Sequence, residues 1–237
     1  MKFIRALIPL LLICSFASAQ EFGLAFSYFI PKNGYFSTPI SPFSIRGLGV
    51  NLTKNISLET GGSLYRMSGL NIKGLPFETK DPLVGPNFTI FVPVEIVFGL
   101  KGNTIQFDIK GGGFFFYGFD QKINYGNMDR AMREYYNLEI VNSNLSFSNK
   151  PGFGYHAGAE LTLSVTSQVG VSLETNYLVG SSQFPLTGSY TGGENNTITT
   201  EAVDYPDAKI DFTGLEFSIG VFFNSGGGGQ PQKRRRR

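Results

Sequence analysis

This chain of 237 residues has one cysteine, one histidine and no apolar stretch as long as a membrane-spanning helix. A spanning helix needs about 20 apolar residues, and the only concentrated apolar run, residues 6–16, is too short. That run instead fits a leader with three parts: a basic start (Lys2, Arg5), the apolar core, and a small-residue site at Ala17, Ser18 and Ala19. Such an order predicts a secretory signal over residues 1–19 with cleavage before Gln20. Cys14 lies inside the apolar run behind Ile13, where lipoprotein cleavage would want a small residue. Ordinary cleavage at Ala19 is therefore expected, and the mature chain then has no cysteine. Disulfides, thiolate metal sites and cysteine nucleophiles are excluded together.

Also absent are a Gly-rich phosphate loop before a helix, a His/Cys metal spacing and a basic, aromatic-interleaved surface. The sequence therefore gives no reason to expect a cofactor, a metal or a nucleic-acid partner. Asn-x-Ser/Thr triplets such as Asn87-Phe88-Thr89 fall inside predicted strands and are read as chance matches.

Positive charge is unevenly placed. Residues 225–232 form a Gly-rich linker leading into Lys233, Arg234, Arg235, Arg236 and Arg237. With two cations in the leader and five in the tail, the body keeps thirteen cations against eighteen acids, about −5. A tail of this sign suits a solvated segment, one folded back on an acidic mouth, or a partner that is an anionic periplasmic polymer.

The body, residues 20–224, is rich in Phe, Tyr and Gly and alternates with period two, the signature of strands. Phe22, Leu24, Phe26, Tyr28 and Ile30 alternate with Gly23, Ala25, Ser27 and Phe29. A second strand carries Leu48, Val50 and Leu52; a third runs from Ile56 with Glu59 and Ser63 on its polar face. Further strands are predicted over 88–100, 104–119, 153–165, 169–180 and 210–223, a total of eight. Turns at 53–55, 101–103 and 166–168 are short, whereas the other connections are long. Within the third of these, 128–138 could form a short helix, and the fourth, with Glu194, Glu201, Asp204 and Asp207, reads as a mobile acidic loop.

Strict alternation of short turns and long loops puts all the turns at one end. That asymmetry, with an even strand count and apolar-out, polar-in alternation, predicts an all-β fold: an eight-stranded antiparallel up-and-down transmembrane β-barrel with short periplasmic turns and long extracellular loops. Closure follows because hydrocarbon offers backbone N–H and C=O groups no partners. A water-soluble barrel would have the opposite pattern, with an apolar lumen and many surface lysines. Pro93, mid-strand, cannot donate to a ladder, and a local bulge is expected there.

The segments Gly154-Tyr155-His156-Ala157-Gly158-Ala159-Glu160-Leu161 and Gly170-Val171-Ser172-Leu173-Glu174-Thr175-Asn176-Tyr177 resemble the penultimate hairpin of the small, OmpA/OmpX-like outer-membrane β-barrel proteins. The ending Leu215-Glu216-Phe217-Ser218-Ile219-Gly220-Val221-Phe222-Phe223 is similar to their final strand. The resemblance spans 20–223. It implies integral residence in the bacterial outer membrane, contact with lipid and lipopolysaccharide, and recognition of the final strand, through Phe223, by the barrel-assembly machinery. It implies a fold and no activity. Such strands usually end the chain, whereas fourteen residues follow Phe223 here.

Six carboxylates sit mid-strand on the polar face: Glu59, Glu95, Asp108, Glu160, Glu174 and Glu216. Counted from the turns they fall at similar heights, so a charge belt inside the barrel is expected, joined by Lys110. Arg46 lies at the same height. Strict alternation would aim it at lipid, where it is costly, so a bulge near Gly47 or Gly49 is expected to turn it inward. Six carboxylates in a narrow lumen require pairing, hydration or protonation.

The expected role is structural, surface-interacting or accessory, without catalysis. Two alternatives stay open. One is a small pore. The other is a lipid A-modifying enzyme using His156, which lies near the loop end of its strand. A lipid A deacylase of this fold carries a serine two residues after its histidine; here that position is Gly158, and only Ser148 or Ser181 could be borrowed from the loops.

Overall fold

The computed structural model describes residues 21–35, 44–195 and 197–224. The expected leader and the expected linker and basic tail lie outside the described residues. The strands are β1 (Glu21–Pro31), β2 (Gly34–Tyr35), β3 (Ser44–Asn51), β4 (Ile56–Met67), β5 (Gly69–Leu70), β6 (Ile72–Lys73), β7 (Asn87–Lys101) and β8 (Ile105–Phe119). After helix α1 (Tyr125–Tyr136) come β9 (Ile140–Phe147), β10 (Gly152–Ser164), β11 (Val169–Gln183), β12 (Leu186–Glu194), β13 (Thr197–Tyr205), β14 (Lys209–Asp211) and β15 (Gly214–Asn224).

Eight of these close into a ring. Going round, β1 is followed by β3, β4, β7, β8, β10, β11 and β15, which returns to β1, and every pair is antiparallel. The closing seam is long, from Glu21↔Asn224 to Pro31↔Gly214. Between β1 and β3 the paired positions are Gly23↔Arg46, Leu24↔Ile45 and Ala25↔Ser44. The turns at 52–55, 102–104 and 165–168 lie at the end where β1 starts and β15 stops.

Side chains sort by parity. Phe26, Val94, Ile96, Leu100, Ile109, Phe153, Leu173 and Ile219 are more than half exposed and face outward. Their neighbours Ala25, Ser27, Glu95, Lys110, Glu174, Ser218 and others are buried inside. An apolar outside and a polar inside is what a hydrocarbon solvent requires.

Of the two expected bulges, the one at Pro93 is absent and the one near Gly47 is present. Pro93 causes no register shift: its partner Phe114 continues the β7–β8 ladder unbroken. On the other side the ladder skips from Thr60↔Val94 to Ser63↔Phe91 with its register unchanged, and Thr60 Oγ1 donates to the Pro93 carbonyl at 2.6 Å. The missing proline N–H thus costs a gap in the ladder, with no inserted residue. The shift lies one strand away, between Ile45 and Leu48 of β3 against β4, where Gly47 adopts φ 72°. That left-handed geometry suits a glycine bulge.

The loop end is more ordered than its composition suggests. The final strand, expected from residue 210, is divided: β14 pairs with β11 and with β6, and β15 begins only at Gly214. The fourth connection, expected to be a loose acidic loop, forms the hairpin β12–β13, and β9 from the third adds to it as a three-stranded sheet. Helix α1 starts three residues earlier than expected. Asn124 caps it by accepting from Asn127 N–H, and left-handed Asn137 ends it by donating to the Arg133 carbonyl.

Candidate functional site: the lumen and its cap

Inside the barrel the contents form layers. At the turn end a small cavity of about 30 Å³ is lined by Glu59, Asp108, Gln106, Asn55, Lys54 and Lys101 among others, which is room for about one or two waters. Glu59 accepts from Ser57 Oγ at 2.5 Å, and Asp108 accepts from Gln106 Nε2 at 2.8 and 3.0 Å.

Next comes a buried ion network. Arg46 Nη2 lies 2.5 Å from Glu216 Oε1, and its Nη1 lies 3.5 Å from Glu174 Oε1. The same guanidinium donates to Ser27 Oγ at 3.2 Å and Ser218 Oγ at 3.4 Å. Lys110 pairs closely with Glu160 and lies 3.6 Å from Glu174 and 3.8 Å from Glu95. Glu174 therefore bridges the two cations. Asn176 Nδ2 donates to Glu174 at 2.7 Å and to Glu216 at 2.8 Å, and Tyr65 Oη donates to Glu216. His156 Nε2 is 2.8 Å from Glu95 Oε2.

Of the sequence-derived set, Arg46, Lys110, Glu95, Glu160, Glu174 and Glu216 meet in the network. Glu59 and Asp108 stand opposite Glu95 and Glu160 in the strand ladders and line the adjoining turn-end cavity. His156 enters the network as well. Tyr65, Asn176, Ser27 and Ser218 carry no charge to single them out, although each lies at an inward position of its strand.

Above the ions lies a layer of rings: Phe29, Tyr65, Phe91, Phe114, Phe116 and Phe212. Phe212, from the break between β14 and β15, stacks on Phe29 at 4.6 Å and on Phe116 at 4.4 Å between centroids. It is fully buried and fills the centre of the barrel mouth.

The loops pack over this layer and continue the same core, in which Met67, Leu83, Val84, Met128, Met132, Phe184, Leu186 and Ile210 are fully buried. Polar contacts tie the cap together. Asp129 accepts from Ser143 N–H at 3.0 Å and from its hydroxyl at 2.5 Å, Tyr125 Oη donates to the Leu145 carbonyl at 2.9 Å, and Arg130 meets Asp81 at 2.8 Å. Tyr136 and Tyr205 share a hydroxyl contact of 3.1 Å. The Tyr205 phenol is pushed well above its ordinary range, first by burial and then by that hydrogen bond.

No protein-family model and no curated protein matches this sequence. Solved structures do match it. The outer membrane protein OprG of Pseudomonas aeruginosa aligns over 87% of this chain and 96% of its own at 10% identity, with a TM-score of 0.50. Ail, the attachment invasion locus protein of Yersinia pestis, aligns over 86% and 94% at 9% identity and a TM-score of 0.37. A major outer membrane protein of Thermus thermophilus aligns over 86% and 98% at 10% identity and a TM-score of 0.41. At these identities the OprG likeness speaks for the fold, and it agrees with the closed ring and its apolar wall. The chain has the fold of a bacterial outer-membrane β-barrel. Its apolar wall is suited to membrane lipid, and its short turns gather at one end with the packed loops capping the other.

Proposed function

We propose that the barrel is an accessory or surface-interaction protein that holds a rigid platform of loops outside the cell and neither conducts nor catalyses. The observation that carries this reading is the filled lumen. An eight-stranded barrel is just wide enough inside for side chains, and here they occupy it in an ion tier and a ring tier, with packed loops above. Loops on a stiff scaffold are where binding residues commonly lie. Ordering them in advance lowers the entropy lost on binding. The platform displays Tyr135, Ile140 and Ile198, each at least half exposed.

Reconstitution in planar lipid bilayers tests the reading. We expect no discrete current steps, and a stable channel conductance would overturn it.

The lipid-editing alternative requires His156 to reach a lipid headgroup. Its side chain instead points into the lumen with 4% of the residue exposed, bonded to Glu95 and beside Phe114 at a ring distance of 6.2 Å. Mass spectra of lipid A from cells with and without the protein are expected to be the same; a mass shift that requires His156 would establish the enzyme reading instead.

Two partner roles belong to the same proposal. Leu215, Phe217, Ile219, Val221 and Phe223 offer the outward apolar row that the barrel-assembly machinery reads, with Phe223 stacked on Phe22 at 5.4 Å. Besides lipid and lipopolysaccharide at the wall, the basic residues 233–237 suit an anionic periplasmic partner.

A further inference from the structure

The outer sheet ends in an edge that no described residue covers. Among the described residues β13 pairs only with β12, and Thr197, Ile198, Thr199, Thr200, Glu201 and Ala202 are all exposed. The pairing runs one to one from Leu186↔Tyr205 to Glu194↔Thr197, so the edge is regular over its whole length. Natural sheets protect exposed edges with lysine, proline, bulges or a covering segment. Here the prolines, Pro185 and Pro206, stand outside the strands, and β9, β12 and β13 contain no Lys, Arg or His. Their charged side chains are Glu194, Glu201 and Asp204.

We propose that the free edge of β13 is the docking site of an extended, basic segment of a partner protein, which adds to the outer sheet as a fourth strand. Main-chain hydrogen bonds would supply affinity, as in other strand additions, and side chains would supply selectivity. Charge decides between the two obvious occupants. A second copy of this chain would set one carboxylate-bearing edge against another, and like charges across strands are unfavourable. On a regular strand Glu201 and Ile198 lie on opposite faces, so a segment with alternating Lys or Arg would place its cations on one face, beside Glu201, and its apolar residues on the other, along Ile198. The inference rests on the surface-interaction reading and gives that surface a partner class.

The test uses the full chain in nanodiscs of zwitterionic phosphatidylcholine, which do not attract cationic peptides by themselves. The probe is a blocked, fluorescein-labelled peptide of alternating Lys and Val, about as long as β13. Saturable binding is expected, with amide-exchange protection gained over residues 197–202. N-methylating alternate peptide residues, made in both registers, keeps the charge and removes one edge's donors; at least one register is expected to bind about tenfold more weakly or worse. The Glu201→Gln/Asp204→Asn variant is expected to weaken binding several-fold while its cap exchange stays unchanged. A matched Glu/Val peptide is expected not to bind.

Absence of Lys/Val binding overturns the proposal, and so does binding of both N-methylated registers as tightly as the unmethylated peptide, which would mean charge attraction alone. Rapid disulfide formation between copies of an Ile198→Cys variant would assign the edge to a second copy and overturn it too. A silent bilayer with no peptide binding defeats this inference only, whereas a conducting barrel defeats the functional reading beneath it.

Discussion

Replacing Arg46 with methionine removes the only described cation in contact with Glu216 and one of two in contact with Glu174. Breaking a buried pair from one side costs about 3–5 kcal/mol, because a desolvated charge is left behind. Glu174 keeps Lys110 at 3.6 Å and Asn176 at 2.7 Å, so the loss falls chiefly on Glu216. Glu216 keeps only neutral donors, from Tyr65 and Asn176. We therefore expect the lower end, about 3 kcal/mol, for Arg46→Met. Arg46→Lys is expected to lose less: the charge stays, but a point cation cannot serve Glu216, Glu174 and two serines as a planar fork does. Adding Glu216→Gln to Arg46→Met is expected to recover most of the stability, since the unpaired charge goes with it. The measurement is urea unfolding in lipid vesicles, followed by far-ultraviolet circular dichroism and by the heat-sensitive gel mobility of folded barrels. A cost below about 1 kcal/mol would place the pair with exposed surface ion pairs and refute the reasoning. Equal instability of the single and double variants would do the same.

Three further outcomes follow from the packing. Phe212→Ala empties the centre of the ring tier and is expected to cost about 3–5 kcal/mol, with faster amide exchange over α1 and β9. Gly112→Ala and Gly62→Ala form a contrasting pair: a Cβ at Gly112 would overlap the Val94 carbonyl oxygen and press on Glu95 Cα at 2.7 Å, whereas at Gly62 nothing lies within 4 Å. The first is expected to abolish the folded gel band and the second to leave it unchanged. Because the Tyr205 phenol holds its proton above its ordinary range, the unfolded chain gives up that proton first. The contribution of Tyr205 to cap stability is therefore full below pH ~10 and lost as pH rises above it, and ultraviolet titration of Tyr205→Phe should show a smaller late phenolate step.

What could be read along the chain was whatever the bilayer dictates. Lipid on one side and a crowded lumen on the other force period two, so all eight barrel strands were visible, β7 with its interior proline included. Arg46 shows the limit of that rule and its repair. Parity aims it at lipid, and only the neighbouring glycine signals the extra residue that turns it inward. Neighbours were less legible than facing. Glu59 stands opposite Glu95 and Asp108 opposite Glu160 through pairings that no single strand records. The cap was least legible. Thr- and Gly-rich β12 and β13 look like a loop when taken alone and become strands by pairing with each other and with β9. Phe212 falls in the predicted eighth strand at the parity of Glu216, but the break between β14 and β15 that seats it, and the five rings from other strands around it, leave no mark in that parity.

The ion network also depends on closure of the ring. Arg46 is on the second barrel strand in chain order and Glu216 on the last, 170 residues apart, and Glu174, Lys110 and Glu95 come from three strands between. Arg46 and Glu216 become neighbours only where β15 lies beside β1. Closing that seam completes the set, and an open sheet of the same strands would leave the guanidinium without its nearest carboxylate.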